Sequence, residues 1–527
     1  MKKLLSGMLL AGIIVGCGGQ ATPTSVPAPA TSQASPTTQA LNPTATTEIT
    51  PSVVANQTTP TPLPSKPTAP IFTADDERWA GRSIYFIMTD RFANGDPSND
   101  NADGFASDRN DPRRWHGGDF RGIIQRLDYI KGMGFGAIWI TPVSKQNSIN
   151  AYHGYWQYDP YQIDPHFGTL EELRELVSEA HKRDMLVMLD VVPNHMGDFL
   201  PGSKAAPPFD DPTWYHNKGN IQNYGNQQEV EDGDLLGLDD LDQDNPATRA
   251  ELLKWIAWLK SETGLDGMRV DTAKHLPKDF LREFDQAANT FSLAEVFSSD
   301  AGYVAPYSEY NDAILDYPLH SAFKESLVGG RTLLVIQRVL ENADATYRNV
   351  HVNGTFLDNH DNERFLCVAT GGPDDQKATQ LQQALAVLYS LRGIPIVYYG
   401  TEQELSGCKD PFNREDAFEL DSTATPLYQW ISQLNQLRQA HPALQRGSLE
   451  SRSKADDGWA FQRTAGNDTV VVCINNTWKP LEVAVTGLTE IADGEVLTDA
   501  LGGGELSVKG GAMNCALQPK QVMIYTR

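Results

Sequence analysis

Positive charge is what this chain is short of. Its 527 residues carry 43 Lys and Arg against 68 Asp and Glu, a formal net charge of -25. A surface of that sign repels phosphates and argues against nucleic acid as a partner. Neutral sugars and cations remain open. Long apolar runs are also scarce. Leu4–Val15 is too short to span a bilayer, and no later stretch is long enough. No glycine-rich dinucleotide fingerprint follows the first strand signal, which counts against an open doubly wound sheet. Cysteines number only five.

The N-terminus reads as a targeting signal. Lys2 and Lys3 precede the apolar run, which ends in Ile14-Val15-Gly16-Cys17. That ending resembles a bacterial lipobox, in which Cys17 is acylated and begins the mature chain. Residues 1–17 are therefore expected to be a lipoprotein signal peptide. The expected location is the outer cell surface, anchored to the membrane. Residues 18–70 are Thr, Pro, Ser and Ala with almost no charge, a disordered linker that cannot bury a core. Four cysteines then remain: Cys367, Cys408, Cys473 and Cys515. An even number in an exported chain suggests disulfides, with three possible pairings. Local grouping favours Cys367–Cys408 and Cys473–Cys515, and the spacing does not resemble a zinc site.

From Ser83 onward, strand and helix signals alternate. Strand candidates are Ser83–Met88, Gly136–Ile140, Leu186–Val192, Asp266–Asp271, Phe291–Glu295, Ala313–Asp316, Thr355–Asp358 and Ile394–Tyr398. After Thr169, Leu170, Leu173, Leu176, Val177 and Ala180 recur at helical spacing, and Thr169 with Glu172 forms a capping box. Eight such repeats predict an α/β fold, a closed (β/α)8 TIM barrel over residues 71–440. A polar insertion of about 196–245 follows the third strand. Short alternating segments over 441–527 predict a C-terminal antiparallel β-sandwich.

In such a barrel the site lies at the C-terminal ends of the strands. Here those ends read Asp190–His195, Gly267–Asp271, Ala294–Val296 and Leu357–Asp361. Arg269 and Asp271 are two apart and share a strand face. Arg269 is expected to hold Asp271 ionised. Converging carboxylates suit glycoside hydrolysis, which needs a proton donor and a second carboxylate at the anomeric carbon.

These segments resemble the four signature regions of the α-amylase superfamily. Asp190–His195 matches the first, Gly264–His275 the second, Glu295-Val296 the third and Phe356–Asp361 the fourth. The resemblance implies a retaining hydrolase of starch-like α-glucans and maltooligosaccharides. Asp271 would be the nucleophile, Glu295 the general acid and base, and Asp361 the third carboxylate. It further implies that His153, His195 and His360 bond sugar hydroxyls. Tyr155 would stack on the reacting sugar. Arg269 and Lys274 would line the site, Lys274 on the acceptor side. Asp410 and Arg414 would bind a glucose on the donor side. A structural calcium ion is implied at Asn194, Asp240 and the carbonyl of His275, although residue 239 is Asp where Pro is frequent. A second calcium loop is suggested by Asn94, Asp96, Asn99, Asp100, Gly117 and Asp119, which also reads as an Asx-rich turn. The expected partners are α-glucan and, through the anchor, the membrane; a monomer is expected. A transglycosylase or a cyclodextrin- or pullulan-degrading relative shares the same residues. A single β domain after the barrel favours a simple amylase, because glucanotransferases usually carry more. A non-catalytic glucan-binding lipoprotein would typically lose one of the three carboxylates.

Overall fold

The computed structural model describes residues 72–199 and 202–527. The Cys17 anchor and the whole 18–70 linker lie outside them. Among the described residues, no helix is long and apolar enough to cross a membrane.

Eight parallel strands form the central sheet: β1 Ile84–Ile87, β2 Ala137–Ile140, β3 Leu186–Val191, β4 Gly267–Val270, β5 Phe291–Ala294, β6 Ala313–Ile314, β7 Gly354–Phe356 and β8 Ile394–Tyr398. Every strand residue is buried. This is why they read as continuous apolar runs rather than alternating ones: helices or loops cover one face and packed side chains the other. The order is β6-β5-β4-β3-β2-β1-β8-β7. A parallel bridge between Leu315 and Gly354 joins the two ends and closes the barrel. The sixth strand is only two residues long, and the seventh starts and ends earlier than expected, because Leu357 and Asp358 already belong to the loop carrying the site.

The helix Leu170–Lys182 begins at Thr169, whose hydroxyl accepts from the Glu172 N–H while Glu172 accepts from the Thr169 N–H. It buries Leu173, Leu176, Val177 and Ala180, the face predicted from spacing. After β2 the chain makes an antiparallel hairpin, Ser144–Gln146 with Gln157–Ile163. Its tip carries Tyr152–Trp156. Gly154 there has φ of +90°, and a Cβ would sit 2.2 Å from the Pro142 carbonyl, so only glycine fits. The insertion after β3 holds a short helix, Gln227–Asp232, and is tied back by a bridge between His195 and Asp240.

The C-terminal strands are β9 Ser448–Lys454, β10 Gly458–Ala465, β11 Asp468–Asn475, β12 Leu481–Thr486, β13 Val496–Asp499, β14 Glu505–Ser507, β15 Ala512–Leu517 and β16 Val522–Thr526. Six form one antiparallel sheet, and β12 with β15 form a second. The Cys473–Cys515 disulfide links the two sheets, and Cys367–Cys408 forms the other pair.

Candidate active site

The site is built around one buried guanidinium at the mouth of the barrel. Arg269, on β4, is fully buried. Its Nη1 lies 2.9 and 3.0 Å from the two oxygens of Asp190 and 2.6 Å from Asp271 Oδ1. Its Nη2 lies 2.7 Å from Glu295 Oε1. The two-residue period of β4 brings Arg269 and Asp271 to one face, and the parallel pairing of Val270 with Ala294 sets Glu295 beside them.

Thr272, immediately after Asp271, is held at φ of 48°, a strained conformation for a β-branched residue. The distortion aims its N–H at Glu295 Oε2, 3.0 Å away. The Tyr317 hydroxyl donates to Glu295 Oε1 at 3.3 Å and accepts from the Asn359 amide at 3.2 Å. Asp190 in turn accepts from the Tyr155 hydroxyl at 2.7 Å and the Trp139 indole at 3.3 Å. Across the mouth, Asp361 stands 3.3 Å from Arg414 Nη2 and 3.2 Å from His360 Nε2. About a third of its side chain is exposed.

The expected ion pair of Arg269 with Asp271 is there and favours the ionised carboxylate, but it works against burial. Burial pushes the Asp271 carboxyl well above the usual range. Arg269 opposes this, while the Glu295, Asp190 and Asp361 charges add to it. Asp190 is pushed up to about 6, first by burial, against the pull of Arg269 and Tyr155. One cation shared among several carboxylates leaves the pocket net negative.

The histidines are neutral. Burial pushes His195 down to about 4 and His360 and His153 well below the usual range. Neutral imidazoles bond hydroxyls without adding charge. The Tyr155 ring lies parallel to His360, centroids 5.3 Å apart. Arg414 is buried, bridging Asp410 at 3.0 Å, the Tyr152 hydroxyl at 3.2 Å and the His360 carbonyl at 3.0 Å. Cys408, two residues before Asp410, is bonded to Cys367 and pins this loop. Lys274 Nζ lies 5.8 Å from the Tyr224 ring and 3.5 Å from the Phe297 carbonyl.

The model of the α-amylase catalytic domain matches residues 86–426, most of the chain. The chain belongs to the α-amylase family of glycoside hydrolases. The β/α-amylase of Paenibacillus polymyxa is 48% identical over 457 residues, 85% of this chain. The chain spans only 38% of that relative's length. An Anoxybacillus α-amylase structure superposes with a TM-score of 0.78 at 41% identity, covering 85% of this chain and 98% of its own. A cyclomaltodextrin glucanotransferase with a three-domain ABC distribution superposes with a TM-score of 0.77 at 31% identity, covering 85% and 99%.

Among the described residues of this amylase-family chain, no three His, Cys, Asp or Glu side chains form a metal-binding group. The expected sites combine single carboxylates with amide and main-chain oxygens. At the first expected site an amide oxygen is free beside a carboxylate. Asn194 Oδ1 is buried without a partner, and its Nδ2 lies 3.0 Å from Asp240 Oδ1. Burial pushes the Asp240 carboxyl up to about 8, and His216 Nδ1 sits 2.6 Å from its other oxygen. His275 docks on the insertion, its Nδ1 3.0 Å from the Val230 carbonyl. Asp239, the departure noted in the sequence, instead accepts from the Phe199 N–H.

At the second, Asn94 Nδ2 lies 2.7 Å from Asp100 Oδ1, and Oδ1 of both Asn94 and Asn99 is buried without a partner. Gly117 comes so close that a Cβ would meet Asp100 Oδ1 at 2.5 Å. Asp96 and Asp119 also make local hydrogen bonds. Asp96 bonds Ser98 in its own turn. Asp119 caps the helix Phe120–Gly132 and accepts from the Gly95, Asp96 and Gly122 N–H groups.

Sequence reasoning passed over Asp190 as a partner of Arg269, Trp139 as a support of Asp190, and Tyr317 with Asn359 as supports of Glu295. It also passed over Tyr224, Phe297 and Phe412, which expose 46%, 50% and 63% of their surface. Phe297 follows the Glu295-Val296 pair and Phe412 lies inside the Asp410–Arg414 loop, whereas Tyr224 has no motif beside it.

Asp271→Asn should make the protein more stable at pH 7. The folded-state pKa of Asp271 lies above its unfolded value, so its buried charge costs stability as pH rises beyond the unfolded pKa of about 3.9. The variant's gain in Tm should be present at neutral pH and shrink towards pH 4. A variant that melts lower than wild type at pH 7 would contradict this.

Proposed function

We propose that the protein is a retaining α-amylase that cleaves α-1,4-glucosidic bonds of starch-like polysaccharides and maltooligosaccharides. The observation that carries this is a single guanidinium in contact with both Asp271 and Glu295. Carboxyls sharing one arginine suit the separation of about 5–5.5 Å needed for retention, rather than about 6.5–9.5 Å for inversion. Asp271 attacks the anomeric carbon and forms a glucosyl ester. Glu295 gives its proton to the departing glycosidic oxygen, then takes one from the incoming water. Asp361, held by Arg414 and His360, faces the sugar that passes through the oxocarbenium-like state. The neutral histidines and the Tyr155 ring fit the hydroxyls and apolar face of glucose.

A second reading, transfer of the glucosyl group to another sugar, is supported by the glucanotransferase likeness. That neighbour has the same three-domain outline, so domain count does not favour simple hydrolysis as the sequence suggested. A purely binding role is disfavoured, because all three carboxylates are in place.

The first product released from a maltooligosaccharide should have the α configuration when followed by proton NMR, and Asp271→Asn and Glu295→Gln should each cut kcat on starch at least about a thousand-fold. A β-configured first product would overturn the assignment. Comparing reducing sugar released from starch with cyclised or transferred product separates the two readings.

We further propose that calcium binds at Asn194 and Asp240. The orphaned amide oxygen and the buried carboxylate suit a hard cation. Chelation should lower Tm, and calcium should restore it by mass action on the native state. Asp240→Ala should abolish that response; an equal response in this variant would contradict the assignment.

A further inference from the structure

In the proposed reaction Glu295 gives up a proton in the first half and takes one in the second. What faces its two oxygens decides which of them carries that proton. Oε1 has the Arg269 guanidinium at 2.7 Å and the Tyr317 hydroxyl at 3.3 Å. Oε2, among the described residues, has one donor, the Thr272 N–H at 3.0 Å. A proton on Oε1 would point into a cation and a donated hydrogen, whereas Oε2 keeps a lone pair for it.

This holds only while Tyr317 donates. A phenol hydroxyl can also accept, and a reversed Tyr317 would welcome a proton on Oε1. Asn359 prevents the reversal. Its Oδ1 accepts from the Asp361 N–H at 2.9 Å, the Asn362 N–H at 3.0 Å and the Asn362 side-chain amide at 2.7 Å. Turning the Asn359 amide over would set its NH2 group against two backbone donors. Its Nδ2 therefore stays directed at the Tyr317 oxygen, 3.2 Å away. That oxygen is committed as an acceptor, and its hydrogen is left for Glu295. Tyr317 is itself fixed. It opens the helix Tyr317–Phe323, whose N-cap Asp316 accepts from the Leu319 N–H. Its ring packs on Phe297 and Phe356, with centroids 4.5 and 5.1 Å away. Tyr317, Asn359 and Glu295 are all buried.

We propose that Tyr317 is a positioning residue for the proton moved by Glu295: its hydroxyl, aimed by Asn359, keeps that proton off Oε1 and on Oε2. In the first half the Oε2 proton passes to the departing glycosidic oxygen as its bond to the anomeric carbon breaks. In the second, Oε2 takes a proton from the water whose oxygen bonds that carbon as the Asp271 ester breaks. The inference rests on the retaining reading above.

Tyr317→Phe tests it in the full chain, because it removes the hydroxyl and keeps the ring. A donated hydrogen bond favours the ionised carboxyl, so its loss keeps the acid protonated to higher pH. The charged groups facing Glu295 are Arg269, Asp190, Asp271 and Lys274, and Asp361 faces Tyr317; the variant alters none of them. The alkaline limb of kcat/KM on a maltooligosaccharide should move up by about 0.5–1 pH unit, the equivalent of one hydrogen bond. The plateau should fall about tenfold as the proton loses its fixed place. Fluoride release in the first turnover of an α-glucosyl fluoride needs little protonation and should keep the wild-type rate. Asn359→Ala should shift the limb in the same direction, and the double variant should shift it no further than Tyr317→Phe, because both act through one hydroxyl. An unmoved alkaline limb, a first turnover of the fluoride slowed along with hydrolysis, or additive shifts in the double variant would overturn the proposal. Failure of the retaining reading would look different: a β-configured first product, or wild-type activity in Glu295→Gln, whatever the Tyr317→Phe profile.

Discussion

One buried cation organises this molecule. Arg269 contacts Asp190, Asp271 and Glu295 at once, with Asp361 nearby. Removing water from three carboxylates is expensive, and a single guanidinium repays only part of it. The unpaid remainder is visible in the raised proton affinities of Asp190 and Asp271. It also has a use. A dry pocket with surplus negative charge favours whatever positive charge develops inside it, and an oxocarbenium-like transition state is such a charge. The substrate itself is neutral and gains far less from this field. That difference between ground state and transition state is what accelerates a reaction.

The rest of the fold holds this arrangement still. Parallel strands buried on both faces fix Arg269, Asp271 and Glu295 to within the play of a packed core. Thr272 is forced into a left-handed conformation so that a backbone N–H can reach Glu295. The Cys367–Cys408 bridge ties down the loop from which Arg414 reaches Asp361. His195 and Asp240 pair the segment after β3 with the insertion, where the Asn194 amide oxygen is buried without a partner.

Much of this was legible in the sequence where a rule of period applied. The apolar runs located all eight strands, and the Thr169–Glu172 box fixed a helix start. The two-residue spacing of Arg269 and Asp271 predicted their contact. What was not legible depended on contacts between distant segments. Asp190 reaches Arg269 across 79 positions of chain, so its share in the ion pair could not be read from β4 alone. Burial, which no local pattern shows, sets the direction at Asp271, and the Glu295, Asp190 and Asp361 charges add to it. Asp119, a candidate ligand by sequence, also caps a helix, which only its N–H partners reveal. Tyr317 lay just past the sixth strand, and only the closed barrel turns it towards Glu295.

The central claim is that Asp271 attacks carbon while Glu295 moves protons. Incubating Glu295→Gln with an α-glucosyl fluoride, whose leaving group needs little protonation, should trap a covalent intermediate. Peptide mass spectrometry should then find one glucosyl group on Asp271, and none when Asp271→Asn is added. A glucosyl adduct on another residue, or turnover of the fluoride by the double variant, would contradict the account.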